Sequence, residues 1–107
     1  MTNKIVVYST CSNPKEAEQL ARRLVEQRLA ACVNVIPRIK SFYRWKGKVE
    51  RGAELLLVIK TSRELFPRLR AELERQHSYE IPELVALPIV DGAPNYLNWM
   101  DGELAGE

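Results

Sequence analysis

From Lys4 the chain reads K-I-V-V-Y-S-T-C, a stretch rich in β-branched residues whose near-continuous apolar character predicts a buried strand. The period then changes. Asn13 is placed to cap a helix, Pro14 suits its first position, and Glu16 completes a capping-box spacing. Ala17, Leu20, Ala21, Leu24 and Val25 recur at helical intervals and define one apolar face, so this helix is expected to end near Arg28. Two long strand-like segments follow, roughly Cys32 to Trp45 and Val49 to Thr61, with Trp45-Lys46-Gly47-Lys48 as a tight turn in which Gly47 supplies a positive φ. Alternation puts Val33, Val35, Ile39, Ser41, Tyr43 and Trp45 on one face, and Gly52 is expected to mark a bulge. The second segment is apolar on both faces, as a central strand should be. Leu65, Phe66, Leu69 and Leu73 form the stripe of a second helix. Pro67 predicts an irregular first turn there, because a proline deeper in a helix costs about 3 kcal/mol. His77 falls in the loop beyond, Ile81 to Val90 reads as a fourth strand, and a short helix starts at Pro94.

The order β-α-β-β-α-β plus a terminal helix predicts an α+β, ferredoxin-like sandwich with a long hairpin between the second and third strands. In that fold the first and third strands are central and the other two are edges. Proline lacks the N–H a central strand needs, and Pro37 and Pro88 fall in the two edge segments. At 107 residues and 46% hydrophobic content, residues 1–107 suit one domain that needs no disulfide staples.

A net charge of +2 argues against a dedicated nucleic-acid binder. Leu84 to Val90 is the longest apolar run and is too short to span a bilayer, so no membrane partner is expected. The N-terminal residues lack signal-peptide features, and Cys11 and Cys32 fit no C-x-x-C pattern, so free thiols in a cytoplasmic protein are expected. One histidine, no G-x-S-x-G and no glycine-rich phosphate loop leave nothing on which to build catalysis, and Glu80 and Glu83 read as a solvated loop. The basic hairpin is more informative. Phe42, Tyr43 and Trp45 among six cations suit base stacking or protection of a strand edge. Its strands are long beside the usual five or six residues, however, so the aromatics sit on a projecting arm and point to self-association.

A metal site is the remaining candidate. Cys11 ends the first strand and His77 precedes the fourth, and these strands are neighbours in the expected sheet. Thiolate and imidazole suit copper or zinc, although two ligands fall short of the four of a tight structural site. A loop histidine also serves as a hydrogen-bonding anchor.

Three blocks, Ala31-Cys32-Val33-Asn34, Tyr43-Arg44-Trp45-Lys46-Gly47-Lys48 and His77-Ser78-Tyr79-Glu80-Ile81-Pro82-Glu83, resemble the CutA family of divalent-cation tolerance proteins, and the similarity runs nearly end to end. The resemblance implies a homotrimer held through the long hairpins, a link to divalent-metal tolerance with weak copper binding, no required cofactor and no enzymatic activity. It implies as metal ligands a cysteine at the end of the first strand and His77. Ser78 stands where the family usually has proline, and Gln76 where a second histidine can occur. An ungapped register puts Ser9 at the cysteine position, with Cys11 two residues on and on the same face. The fold is also similar to PII-type signalling trimers, which implies an alternative: a small anionic ligand held in clefts between subunits.

Overall fold

The first strand, β1 (Lys4–Cys11), lies inside the sheet, and its proline-free sequence is what an interior position requires. The structure, a computed structural model, describes residues 2–106. After β1 come α1 (Pro14–Glu26), β2 (Cys32–Trp45), β3 (Lys48–Ser62), α2 (Phe66–Gln76), β4 (Val85–Pro88) and α3 (Pro94–Glu103). The strands form one sheet in the order β2-β3-β1-β4, with every neighbouring pair antiparallel. This is the α+β, ferredoxin-like arrangement that the element order predicts, with the long hairpin and the C-terminal helix in place.

One face of the sheet carries the core. Ile5, Val7 and Cys11 of β1 oppose Thr61, Ile59 and Leu55 of β3, and all six are buried. Ala17, Leu20 and Leu24 of α1 and Leu69 and Leu73 of α2 join the same buried set. Val25, expected on the α1 stripe, is instead exposed. The other face carries Val6, Tyr8, Leu56 and Val58, which are half-buried, and Ile36, Val85 and Leu87, which are exposed.

Local chemistry qualifies the sequence reading in three places. Around Pro67 the irregularity takes the form of a separate turn at residues 63–65, closed by Phe66 N–H donating to the Arg63 carbonyl at 3.3 Å, so that regular α2 begins only at Phe66 and the proline lies in its first turn. The fourth strand is four residues, not ten: it pairs with β1 over Val85–Pro88, with one further bond from the Ile89 amide to the Lys4 carbonyl at 3.2 Å. The bulge falls not at Gly52, which pairs regularly with Ser41, but between Ile36 and Ile39 of β2. Pro37 cannot donate to the ladder there, and Arg38 takes a φ of 62°. That extra residue resets the alternation. Val33 and Val35 face the helices with Ile59 and Leu57, whereas Ile39, Ser41, Tyr43 and Trp45 share the opposite face with Glu54 and Leu56.

Pairing between β1 and β3 stops at Cys11 and Leu55. Ile39 to Trp45 and Lys48 to Glu54 therefore continue as a two-stranded arm with no third strand beside it. Among the described residues, no helix is long and apolar enough to cross a membrane.

Candidate functional site

Where β1 ends, the C-terminus of α2 and the base of the arm converge. His77 caps α2 in an extended conformation, its backbone N–H donating to the Leu73 carbonyl at 2.9 Å, which turns the ring back over the sheet. Its side chain is completely buried. Nε2 lies 2.7 Å from the Thr10 carbonyl oxygen, and Nδ1 lies 3.0 Å from the Tyr79 backbone nitrogen. A carbonyl can only accept and an amide N–H can only donate. The ring is therefore the Nε2–H tautomer, with the Nδ1 lone pair accepting from Tyr79. His77 is a hydrogen-bonding anchor that ties α2, β1 and the following loop together.

The fold brings His77 to Thr10, the residue adjoining Cys11, a meeting that the strand order alone left to the loop. Cys11 itself faces the core and is fully buried. Burial first, then the charges of Glu16 and Glu54, push its thiol up to about 11. As they stand, a thiol held protonated and a ring with both nitrogens engaged do not fit a copper or zinc ligand pair. Ser9 is buried on the same face, and its hydroxyl has no hydrogen-bond partner. Gln76 donates to Glu72. No group of three or more His, Cys, Asp or Glu side chains is arranged to hold an ion among the described residues.

The Cys11 shift sets a pH dependence. The folded chain keeps a proton that the unfolded chain releases, so the associated stability is complete below pH 9 and is lost as pH rises toward 11. The loss is roughly 2–3 kcal/mol over that interval. Cys11→Ala should unfold in urea with a visibly shallower alkaline decline than wild type. Equal slopes would show that the thiol is not the titrating group.

Two residues that sequence reasoning read as loop or cap complete the corner. Glu16 was placed by its spacing in a capping box. The Asn13 half forms, with Asn13 Oδ1 accepting from the Glu16 amide at 2.8 Å, but the Glu16 carboxylate turns elsewhere. Its Oε2 accepts from the Ser78 amide at 2.8 Å and lies 3.7 Å from His77 Nδ1. Tyr79, beyond Ser78, donates its hydroxyl to Glu54 Oε2 at 2.7 Å. Burial, reinforced by the bond to Glu54 and that carboxylate's charge, drives the phenol well above its ordinary value. The Tyr79–Glu54 bond links the loop to the base of the arm. Alongside lies a cleft of about 570 Å³ walled by Phe42, Tyr43, Trp45 and Tyr79, and every charged residue lining it is a glutamate.

This corner, with the three sequence blocks and the arm, places the chain among known proteins. Residues 5–103 match the family described as CutA1 divalent ion tolerance protein. The chain belongs to that family. It is similar to Protein CutA of Mus musculus, 50% identical over 93 residues, which are 87% of this chain and 52% of the mouse protein. It is similar to the divalent-cation tolerance protein CutA of Thermus thermophilus, 46% identical over 95 residues, 89% of this chain and 92% of that one. A solved structure of the Thermus thermophilus divalent cation tolerance protein superimposes with a TM-score of 0.93 at 43% identity, covering 95% of this chain and 99% of the other. The chain therefore spans about half the length of the mouse relative and nearly all of the bacterial CutA1 relative.

Proposed function

We propose that this member of the CutA1 family acts as a self-associating, trimeric protein of divalent-cation tolerance, with weak copper binding, no required cofactor and no catalytic chemistry. The observation that carries the reading is the pair of unfinished surfaces. The arm holds Tyr43 and Trp45 exposed by 48% and 39%, and the sheet face opposite the helices leaves Ile36, Val85 and Leu87 open. Apolar surface of this extent on a small domain marks an interface. Both outer strands, β2 and β4, also keep unpaired backbone edges, which neighbouring copies of the same chain can close.

Any metal held at this corner is held weakly. An ion taking the Nδ1 lone pair displaces the Tyr79 amide, and that lost bond offsets part of the gain. Imidazole favours copper and zinc over magnesium and calcium, whose preferred ligands are oxygens. The alternative, an anionic ligand of the signalling kind, is opposed by the cleft beside the arm, whose charged lining is all carboxylate.

Thermal unfolding with copper, zinc, ATP and ADP tests the reading. The melting temperature should rise with the logarithm of copper or zinc concentration and stay unchanged with either nucleotide. Stabilisation by nucleotides and not by metals would replace this function with the signalling one.

A further inference from the structure

We infer that the cleft at the base of the arm binds a linear aliphatic polyamine, with its ammonium groups on Glu54, Glu80 and Glu83 and its methylene stem against the aromatic walls. The inference goes beyond the metal and trimer readings above and rests on neither.

Two separate stretches of one chain build the cleft. The arm supplies Phe42, Tyr43, Trp45 and Glu54, and the loop after α2 supplies Tyr79, Glu80 and Glu83. The bond from the Tyr79 hydroxyl to Glu54 Oε2 at 2.7 Å joins the two stretches. It fixes one wall and leaves Oε1 of Glu54 to a ligand. The volume, about 570 Å³, is that of a small-molecule site, which commonly encloses about 300–1,000 Å³.

Charge sets the sign of the ligand. The chain as a whole carries a net charge of +2, yet every charged residue lining the cleft is a glutamate. None of the three is paired with a lysine or arginine among the described residues. An acidic cleft on a basic chain draws cations to one place, while the overall charge repels them.

The spread of the donors sets the class. Among the described residues no three acidic, histidine or cysteine side chains gather around one point, so these carboxylates do not converge on a single metal ion. A polyamine carries its charges along a flexible chain and reaches carboxylates that stand apart. Aromatic faces suit both of its parts, attracting ammonium groups and covering methylenes. The arm's rings already do this for the chain's own cations. Lys46 Nζ lies 5.9 Å from the Trp45 ring centroid and the Arg51 guanidinium carbon 5.9 Å from that of Phe42. Neither cation lines the cleft, which is left with rings and carboxylates alone to meet a ligand.

The test titrates spermidine, putrescine and choline into the full chain by calorimetry, with light scattering on the same samples. Two double variants accompany the wild type. One is Glu80→Gln with Glu83→Gln. The other, Glu18→Gln with Glu74→Gln, makes the same change of net charge on α1 and α2, which cover the opposite face of the sheet. All four positions are exposed, and unchanged melting curves confirm that both variants fold. The expected result is one spermidine per chain, bound more tightly than putrescine, and putrescine more tightly than choline, with affinity falling as salt rises. The cleft variant binds at least roughly fivefold more weakly and the control binds like wild type. By NMR, spermidine shifts the Trp45 indole N–H and leaves that of Trp99 in place. Equal weakening in the two variants reduces the effect to diffuse attraction and overturns the site. Choline held as tightly as spermidine overturns the polyamine assignment in favour of a single caged ammonium. Absence of binding overturns the inference outright. Binding that splits the assembly overturns it as well, by showing that a neighbouring copy's own cations occupy the cleft.

Discussion

Trp45→Ala is expected to weaken the trimer and lower the unfolding midpoint together. Trp45 sits at the tip of the arm, paired with Lys48, and the arm has no third strand to lean on. Within one chain the indole is 39% exposed, with its own neighbour Lys46 5.9 Å from the ring centroid. What remains open is apolar, and in the proposed assembly a neighbouring copy covers it. Removing a packed tryptophan costs about 3–5 kcal/mol. Folding and association are coupled when each copy closes another's edges, so the same loss appears in both measurements. Urea unfolding at two protein concentrations, read beside light scattering, checks it. An unchanged midpoint with unchanged mass would show that Trp45 is an ordinary surface residue.

The second large effect is expected at His77. His77→Ala leaves the Thr10 carbonyl and the Tyr79 amide without the ring nitrogens that now satisfy them, and opens a void in a position with no solvent exposure. Each buried polar group left unpaired costs about 1–3 kcal/mol, so the two together give a loss of roughly 2–6 kcal/mol. His77→Gln is expected to recover part of this, since its amide both donates and accepts. Urea unfolding of the two variants against wild type, with no metal present, separates this structural role from any ligand role. A loss below about 0.5 kcal/mol in His77→Ala would mean that the ring anchors nothing.

The sequence and the structure agree most closely where one local rule acts alone. Asn13 and Pro14 mark the start of α1 through capping chemistry, and the confinement of Pro37 and Pro88 to the outer strands agrees with the sheet order that the element order predicts. They diverge where two rules compete. At Gly52 composition pointed to a bulge, but the proline at position 37 decides where the ladder breaks, since it removes a donor whereas glycine merely permits a bend. The consequence is the arm's face, because one bulge moves Tyr43 and Trp45 to the side opposite Val33 and Val35. At the corner, His77 was legible as the only histidine, whereas its contact with the end of β1 depends on the loop after α2 and not on strand order alone. Glu16 was not. Its spacing from Asn13 satisfied a local motif, while its carboxylate serves a contact 62 positions away that only the packing of α1 against the loop creates. Tyr79 and Glu54 meet across 25 positions for the same reason.

Solution mass tests the central claim most directly. Sedimentation equilibrium or light scattering at micromolar concentration is predicted to return three times the 12.3 kDa chain mass, with no monomer until the chain unfolds. A folded species of one chain mass under those conditions would contradict the account, because the arm and the open sheet face would then be stable in water unaided.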